Sequence, residues 1–145
     1  MKARIMQTIV VLSLLLTGAV SAANKGGTVT MEYYYKIKWG HQAEFIELYK
    51  KNHLPLLNVL LETGHMLSVR TERPTLHLPE DKRWDYRVTI VFRDADTALS
   101  EPPEDWEEAK ARLYSDLDAF NREESRRFEL VEAHWDVAIS EVELD

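Results

Sequence analysis

Residues 28–39 read TVTMEYYYKIKW, and every second residue is large and mostly apolar: Val29, Met31, Tyr33, Tyr35, Ile37 and Trp39. Between them stand Thr28, Thr30, Glu32, Tyr34, Lys36 and Lys38. A period of two over this length predicts a β-strand, because successive side chains on a strand point to opposite faces. One face must be covered, and the other is wet or lines a polar cavity.

Outward from this strand, Gly40 breaks the pattern and His41–Thr63 takes on a helical one. Phe45, Leu48, Tyr49, Leu56, Leu60 and Leu61 fall near one stripe, with Gln42, Glu44, Glu47, Lys50 and Lys51 outside it. Pro55 inside this pattern lacks a backbone donor and crowds the preceding turn, so a kink or restart is expected near His53. Gly64 is a helix stop. His65–Leu78 reads as a second strand that loosens beyond Thr71, and Glu80–Lys82 as a polar turn. Arg83–Arg93 is a third strand, with Trp84, Tyr86, Val88, Ile90 and Phe92 on one face.

Asp94–Asp105 reads as a loop containing Pro102 and Pro103. A helix follows from about Glu104 to Arg127, striped by Trp106, Ala109, Leu113, Leu117 and Phe120. Phe128–Leu144 alternates again, with Val131, Ala133, Trp135, Val137 and Ile139 on one face and Glu132, His134 and Asp136 on the other. The order strand, helix, strand, strand, helix, strand predicts a ferredoxin-like α+β fold, βαββαβ. Its four-stranded antiparallel sheet would carry both helices on one face.

The first residues stand apart. A basic start at Lys2 and Arg4, an apolar run from Ile5 to Val20 and a small-residue exit at Ser21–Ala22 form the pattern of a secretory signal peptide. Residues 1–22 are expected to be removed after Ala22 or Ala23. They would leave a flexible lead over 23–27, one domain over 28–145 and no stable membrane span. The expected location is the periplasm or outside the cell. The chain carries a net charge of −7 and has no basic run, which argues against nucleic acid as a partner. It has no cysteine, so disulfides, thiol nucleophiles and Cys-based metal sites are excluded. A domain this small without disulfides gains from dimerisation.

The segment YYYKIKWGHQAEFIELYKKNHLPLL, Tyr33–Leu57, resembles the first strand and helix of the dimeric α+β barrel superfamily. That group includes NIPSNAP-like, EthD-like, stress-responsive A/B barrel and antibiotic-biosynthesis-type monooxygenase proteins. The resemblance implies a homodimer in which two sheets form one barrel. It also implies an inward-facing histidine at the His53-x-Pro55-Leu56 step. Members include cofactor-free oxygenases, isomerases, polyketide cyclases and haem-binding enzymes, so membership leaves the chemistry open.

If the apolar faces of the first, third and fourth strands pack on the helices, the opposite face carries Tyr34, Lys36, Arg87, Glu132, His134 and Asp136. Those groups suit an anionic or phenolic ligand, with His134 as a base near neutral pH. The competing reading is a solvated face on which opposite charges neutralise each other. His53 is a second acid–base candidate, against an imidazole that merely caps the carbonyls freed by Pro55. No three ligands at metal spacing occur, and no cofactor is required. The leading expectation is an exported homodimer that binds a small organic ligand; if it is an enzyme, the expected chemistry is cofactor-free oxygenation or isomerisation by proton transfer. A non-catalytic dimeric interaction module is the alternative, and a haem-binding or haem-degrading protein the third reading.

Overall fold

A computed structural model describes residues 27–100, 104–142 and 144, with only the backbone for Glu104 and Asp105. The expected signal peptide, most of the lead and the Pro102–Pro103 pair lie outside the described residues. Among the described residues no helix is long and apolar enough to cross a membrane.

The elements are β1 (Val29–Ile37), α1 (Gln42–Leu48), a π-helical turn (Tyr49–His53), α2 (Leu54–Glu62), β2 (Met66–Glu72), a 3₁₀ turn (Glu80–Lys82), β3 (Tyr86–Phe92), α3 (Ala95–Leu99), α4 (Glu104–Leu113), α5 (Leu117–Glu129) and β4 (Val131–Ile139). The four strands form one antiparallel sheet in the order β2-β3-β1-β4. This is the ferredoxin-like arrangement, in which the helical crossover from β1 to β2 leaves the place between them to β3. Gly40 and Gly64 close the turns on either side of α1–α2 at positive φ (85° and 74°), which a glycine adopts without a Cβ clash.

The core lies between the sheet and the helices. Met31, Tyr35 and Ile37 from β1 and Val88, Ile90 and Phe92 from β3 meet Phe45, Tyr49, Leu57 and Leu60, all buried. Each such large side chain contributes about 1.5–3 kcal/mol by leaving water. The alternation expected for β1 and β3 is therefore the one observed within the strands. Trp39 is an exception: it lies beyond the strand end, 68 % exposed, with the Arg83 guanidinium 4.3 Å above its ring. Trp84 is another. It precedes β3 and sets its ring edge-on against Tyr34, 5.5 Å away on the uncovered face.

β4 departs from expectation in its phase. Ile37 stands opposite Val131, but Lys36 stands opposite Ala133, so a bulge intervenes in the β1–β4 ladder. One extra residue turns every later side chain to the opposite face. His134 and Asp136 consequently lie opposite Tyr35 and Tyr33 on the helix-covered side. Trp135, Val137 and Ile139 lie opposite Tyr34, Glu32 and Thr30 on the uncovered side. These three remain 39 %, 38 % and 42 % exposed.

The bulge is held by side chains. The Ile37 N–H donates to Asp85 Oδ2 at 2.7 Å, and Arg83 Nη2 donates to the Ile37 carbonyl at 3.1 Å. Arg83 also donates to Asp85 at 2.6 Å and Glu132 at 3.2 Å. The backbone groups displaced from the ladder are thus satisfied, as burial requires.

Three further corrections concern connections. The second long helix is two, because Asp116 caps a new helix by accepting from the Ala119 N–H at 2.8 Å. The loop after β3 opens with the short α3, capped by Asp94, which accepts from the Thr97 N–H at 2.7 Å. β2 ends at Glu72, and an irregularity between Met66 and Ser68 breaks the alternation of Leu67 with Val69.

Candidate functional site

Pro55 shapes the main cavity from a distance. It lacks the N–H that would bond the Lys51 carbonyl, and the chain widens into the π turn just before it, where the Leu54 N–H reaches back to the Tyr49 carbonyl. The Tyr114 hydroxyl donates to the Asn52 carbonyl at 2.5 Å and lies 3.4 Å from that of Lys51. Capping of the freed carbonyls therefore falls to Tyr114, and His53 is left for the interior.

His53 faces a cavity of about 470 Å³ between the helices and the sheet. Tyr33 and Tyr35 of β1, Val88 and Ile90 of β3, Trp106 and Lys110 of α4, Glu124 and Arg127 of α5, and His134 of β4 also line it. The His53 ring packs between Tyr49 (5.3 Å) and Trp106 (5.7 Å). Its Nδ1 lies 3.6 Å from Glu124 Oε2, an ion-pair distance longer than a hydrogen bond. Glu124 also accepts from Arg127 Nε and Nη2 at 3.0 and 2.7 Å. Burial pushes the Glu124 carboxyl up, but His53 and the Arg127 guanidinium outweigh it and bring it down to about 2. It is a carboxylate at neutral pH.

The bulge in β4 brings His134 to the same cavity. Its ring lies 4.4 Å from that of Tyr35, and its Nδ1 3.3 Å from Asp136 Oδ1. Burial pushes the imidazole below its ordinary value; Asp136 opposes this and Arg127 adds to it. His134 is therefore neutral near pH 7, as a proton acceptor must be. The Tyr33 phenol is pushed up to about 12, by burial first and by Asp136 and Tyr35 next, so it keeps its proton and can donate. An imidazole from the helices, an imidazole from the sheet and a protonated phenol thus share one mainly apolar space.

The ligand face expected from the sequence is divided by the fold. Tyr34, Lys36 and Arg87 lie on the uncovered side, whereas Asp136 and His134 lie on the other. The uncovered groups are occupied with each other. Arg87 pairs with Glu32 at 3.1 Å and Glu72 at 2.6 Å, and the Tyr34 hydroxyl donates to Glu32 at 2.6 Å. Lys36 bridges Glu80 at 2.7 Å and Glu132 at 2.9 Å. Two cations held by four carboxylates match the self-neutralising reading of that face.

Sequence reasoning passed over Glu124 and Arg127. A signal was present: Leu117, Phe120, Glu124 and Arg127 follow one another at helical spacing, so the apolar stripe continues into a charged pair. Among the described residues no group of three or more His, Asp or Glu side chains is placed to hold a metal ion.

No family model matches the sequence, and no curated protein does. Solved structures do match the fold. A hypothetical protein of Arabidopsis thaliana, studied in solution, superposes with a TM-score of 0.51 at 15 % identity, over 83 % of this chain and 94 % of its own. A Caulobacter crescentus protein, provisionally assigned as an antibiotic biosynthesis monooxygenase, gives 0.50 at 14 % identity over 82 % and 93 %. The chain shares its ferredoxin-like α+β fold with these proteins. A NIPSNAP family protein of Agrobacterium tumefaciens also matches, at a TM-score of 0.47 and 14 % identity over 82 % and 90 %. At these identities the likeness concerns the fold and leaves the chemistry to the residues.

Proposed function

We propose that this protein is exported, forms a homodimer through its uncovered sheet face, and binds a small organic molecule in the cavity between sheet and helices. The observation that carries the reading is the meeting of His53 and His134 in one cavity of about 470 Å³. That volume lies in the range of small-molecule sites, which are mostly apolar with a few convergent polar groups. Acid–base work on the ligand is the reaction class these groups suit: His134 accepts a proton, Tyr33 donates a hydrogen bond to a developing oxyanion, and Glu124 orients His53. Cofactor-free isomerisation or oxygenation of a phenolic or enolisable molecule would use this set.

Export is supported by the charge and hydropathy pattern of residues 1–22. Dimerisation is supported by the apolar strip of Trp135, Val137 and Ile139, which no part of the described chain covers. A purely structural dimer would need no cavity lined by two imidazoles.

Thermal-shift screening of the chain lacking residues 1–22 tests the reading. Aromatic and enolic compounds are expected to raise the melting temperature of the wild type, with smaller shifts in His53→Ala and His134→Ala. Equal shifts in all three proteins for every active compound would remove both histidines from the site.

A further inference from the structure

Arg127 is 1 % exposed, and its Nη1 has no hydrogen-bond partner among the described residues. Its other two nitrogens, Nε and Nη2, donate to Glu124, and its guanidinium carbon lies 4.6 Å from the Phe128 ring centre and 5.7 and 5.8 Å from those of Phe45 and Tyr49. An unused donor on a buried charged group is costly, at about 1–3 kcal/mol or more. Such groups are retained where something else completes them. Arg127 lines the cavity.

The charge around that space points the same way. Glu124 is the one carboxylate among the lining residues, and Arg127 already holds both of its oxygens. Lys110 lines the cavity as a second cation, its ammonium 2.5 Å from Glu107, which is largely exposed. A chain with a net charge of −7 therefore lines this cavity with more cations than carboxylates. The remaining walls are aromatic and aliphatic: Tyr33, Trp106, Phe120, Leu57 and Ile90.

Resting on the cavity reading above, we propose that the ligand is an apolar monoanion, a flat aromatic or unsaturated molecule bearing one carboxylate or phenolate. Its charged oxygen accepts from Arg127 Nη1 while its hydrocarbon part fills the aromatic space beneath Trp106. A neutral analogue of the same shape gains the apolar contact and leaves Nη1 unused. The charge-assisted hydrogen bond should separate the two by about tenfold or more in affinity.

Calorimetry at pH 7.5 with 2-naphthoate and 2-naphthamide tests this on the wild type, on Lys110→Gln and on the double variant Arg127→Gln/Glu124→Gln, which removes both buried charges together. The wild type and Lys110→Gln should prefer the carboxylate, and the double variant should lose the preference while still binding the amide. Equal binding of the two probes to the wild type overturns the assignment and leaves the cavity reading standing. Binding of neither probe overturns both. Loss of the preference in Lys110→Gln, or its survival in the double variant, moves the anion away from Arg127. Should the double variant fail to fold, the guanidinium resonances of Arg127 in the wild type decide: they shift with 2-naphthoate and not with 2-naphthamide, and no shift overturns the proposal.

Discussion

Tyr34 and Trp135 lie face to face across the β1–β4 ladder, ring centres 5.2 Å apart and planes 4° from parallel. The pair stands on the side of the sheet that no helix of the described residues covers. Together with Val137 and Ile139 it makes an apolar strip beside the Arg87–Glu32–Glu72 ion pairs, so this side of the sheet has a greasy edge and a charged centre. In the proposed dimer this pair would become buried, and buried aromatic anchors dominate interfaces. Trp135→Glu should therefore shift the chain lacking residues 1–22 from dimer to monomer in sedimentation velocity, weakening association by about 2 kcal/mol or more. A mass equal to the wild type's at every concentration would place the interface elsewhere.

That same pair shows where the sequence stopped being legible. β1 and β3 alternate without interruption, and their faces follow directly from the period of two. β4 alternates just as cleanly from Val131 to Ile139, but alternation gives a period and no phase. The phase is set by the bulge opposite Lys36 and Ile37, which depends on Asp85 and Arg83, some fifty residues away in the chain. The kink before Pro55 was readable because a missing N–H is a local fact. The break at Ser115–Asp116 left the stripe from Leu113 to Leu117 intact, and only the capping propensity of Asp116 marked it. His53 and His134 could be singled out by residue type, but their meeting in one cavity required the bulge.

Asp85→Ala should cost stability beyond an ordinary surface change. It removes the acceptor of the Ile37 N–H and leaves the buried Arg83 guanidinium with Glu80, Glu132 and the Ile37 carbonyl only. An unsatisfied buried donor costs about 1–3 kcal/mol. Urea unfolding should show a loss of that order. The amide of Ile37 should also exchange faster with deuterium, and an unchanged Ile37 exchange rate would show that another group takes over.

Glu124 makes a pH prediction whose sign is fixed by its lowered carboxyl. The folded value is about 2 against an ordinary 4.5. The stability it contributes is full above about pH 4.5 and is lost as pH falls from there towards 2, because the unfolded chain binds the proton first. Glu124→Gln should remove this part of the acid sensitivity, on the order of 2 kcal/mol. The difference between wild-type and variant unfolding free energies, measured from pH 6 to pH 2, should shrink across that window. A difference that stays constant throughout would mean that His53 and Arg127 do not hold the carboxylate.

His134 costs stability in the same direction, on acidification, but from a higher pH. Its imidazole is pushed below the ordinary 6.5 by burial, so protonation favours the unfolded chain. Stability should be greatest above pH 6.5 and decline as pH falls through 6.5 towards the depressed folded value. Asp136, 3.3 Å away, partly offsets this by favouring the imidazolium. Asp136→Asn should lower the His134 midpoint further, and the loss of stability should deepen at the acid end of that range. An NMR titration of the His134 ring in both proteins measures the two midpoints directly. A wild-type midpoint at or above 6.5, or a rise on replacing Asp136, would put the ring in solvent rather than against Tyr35, and its place in the cavity would fail with it.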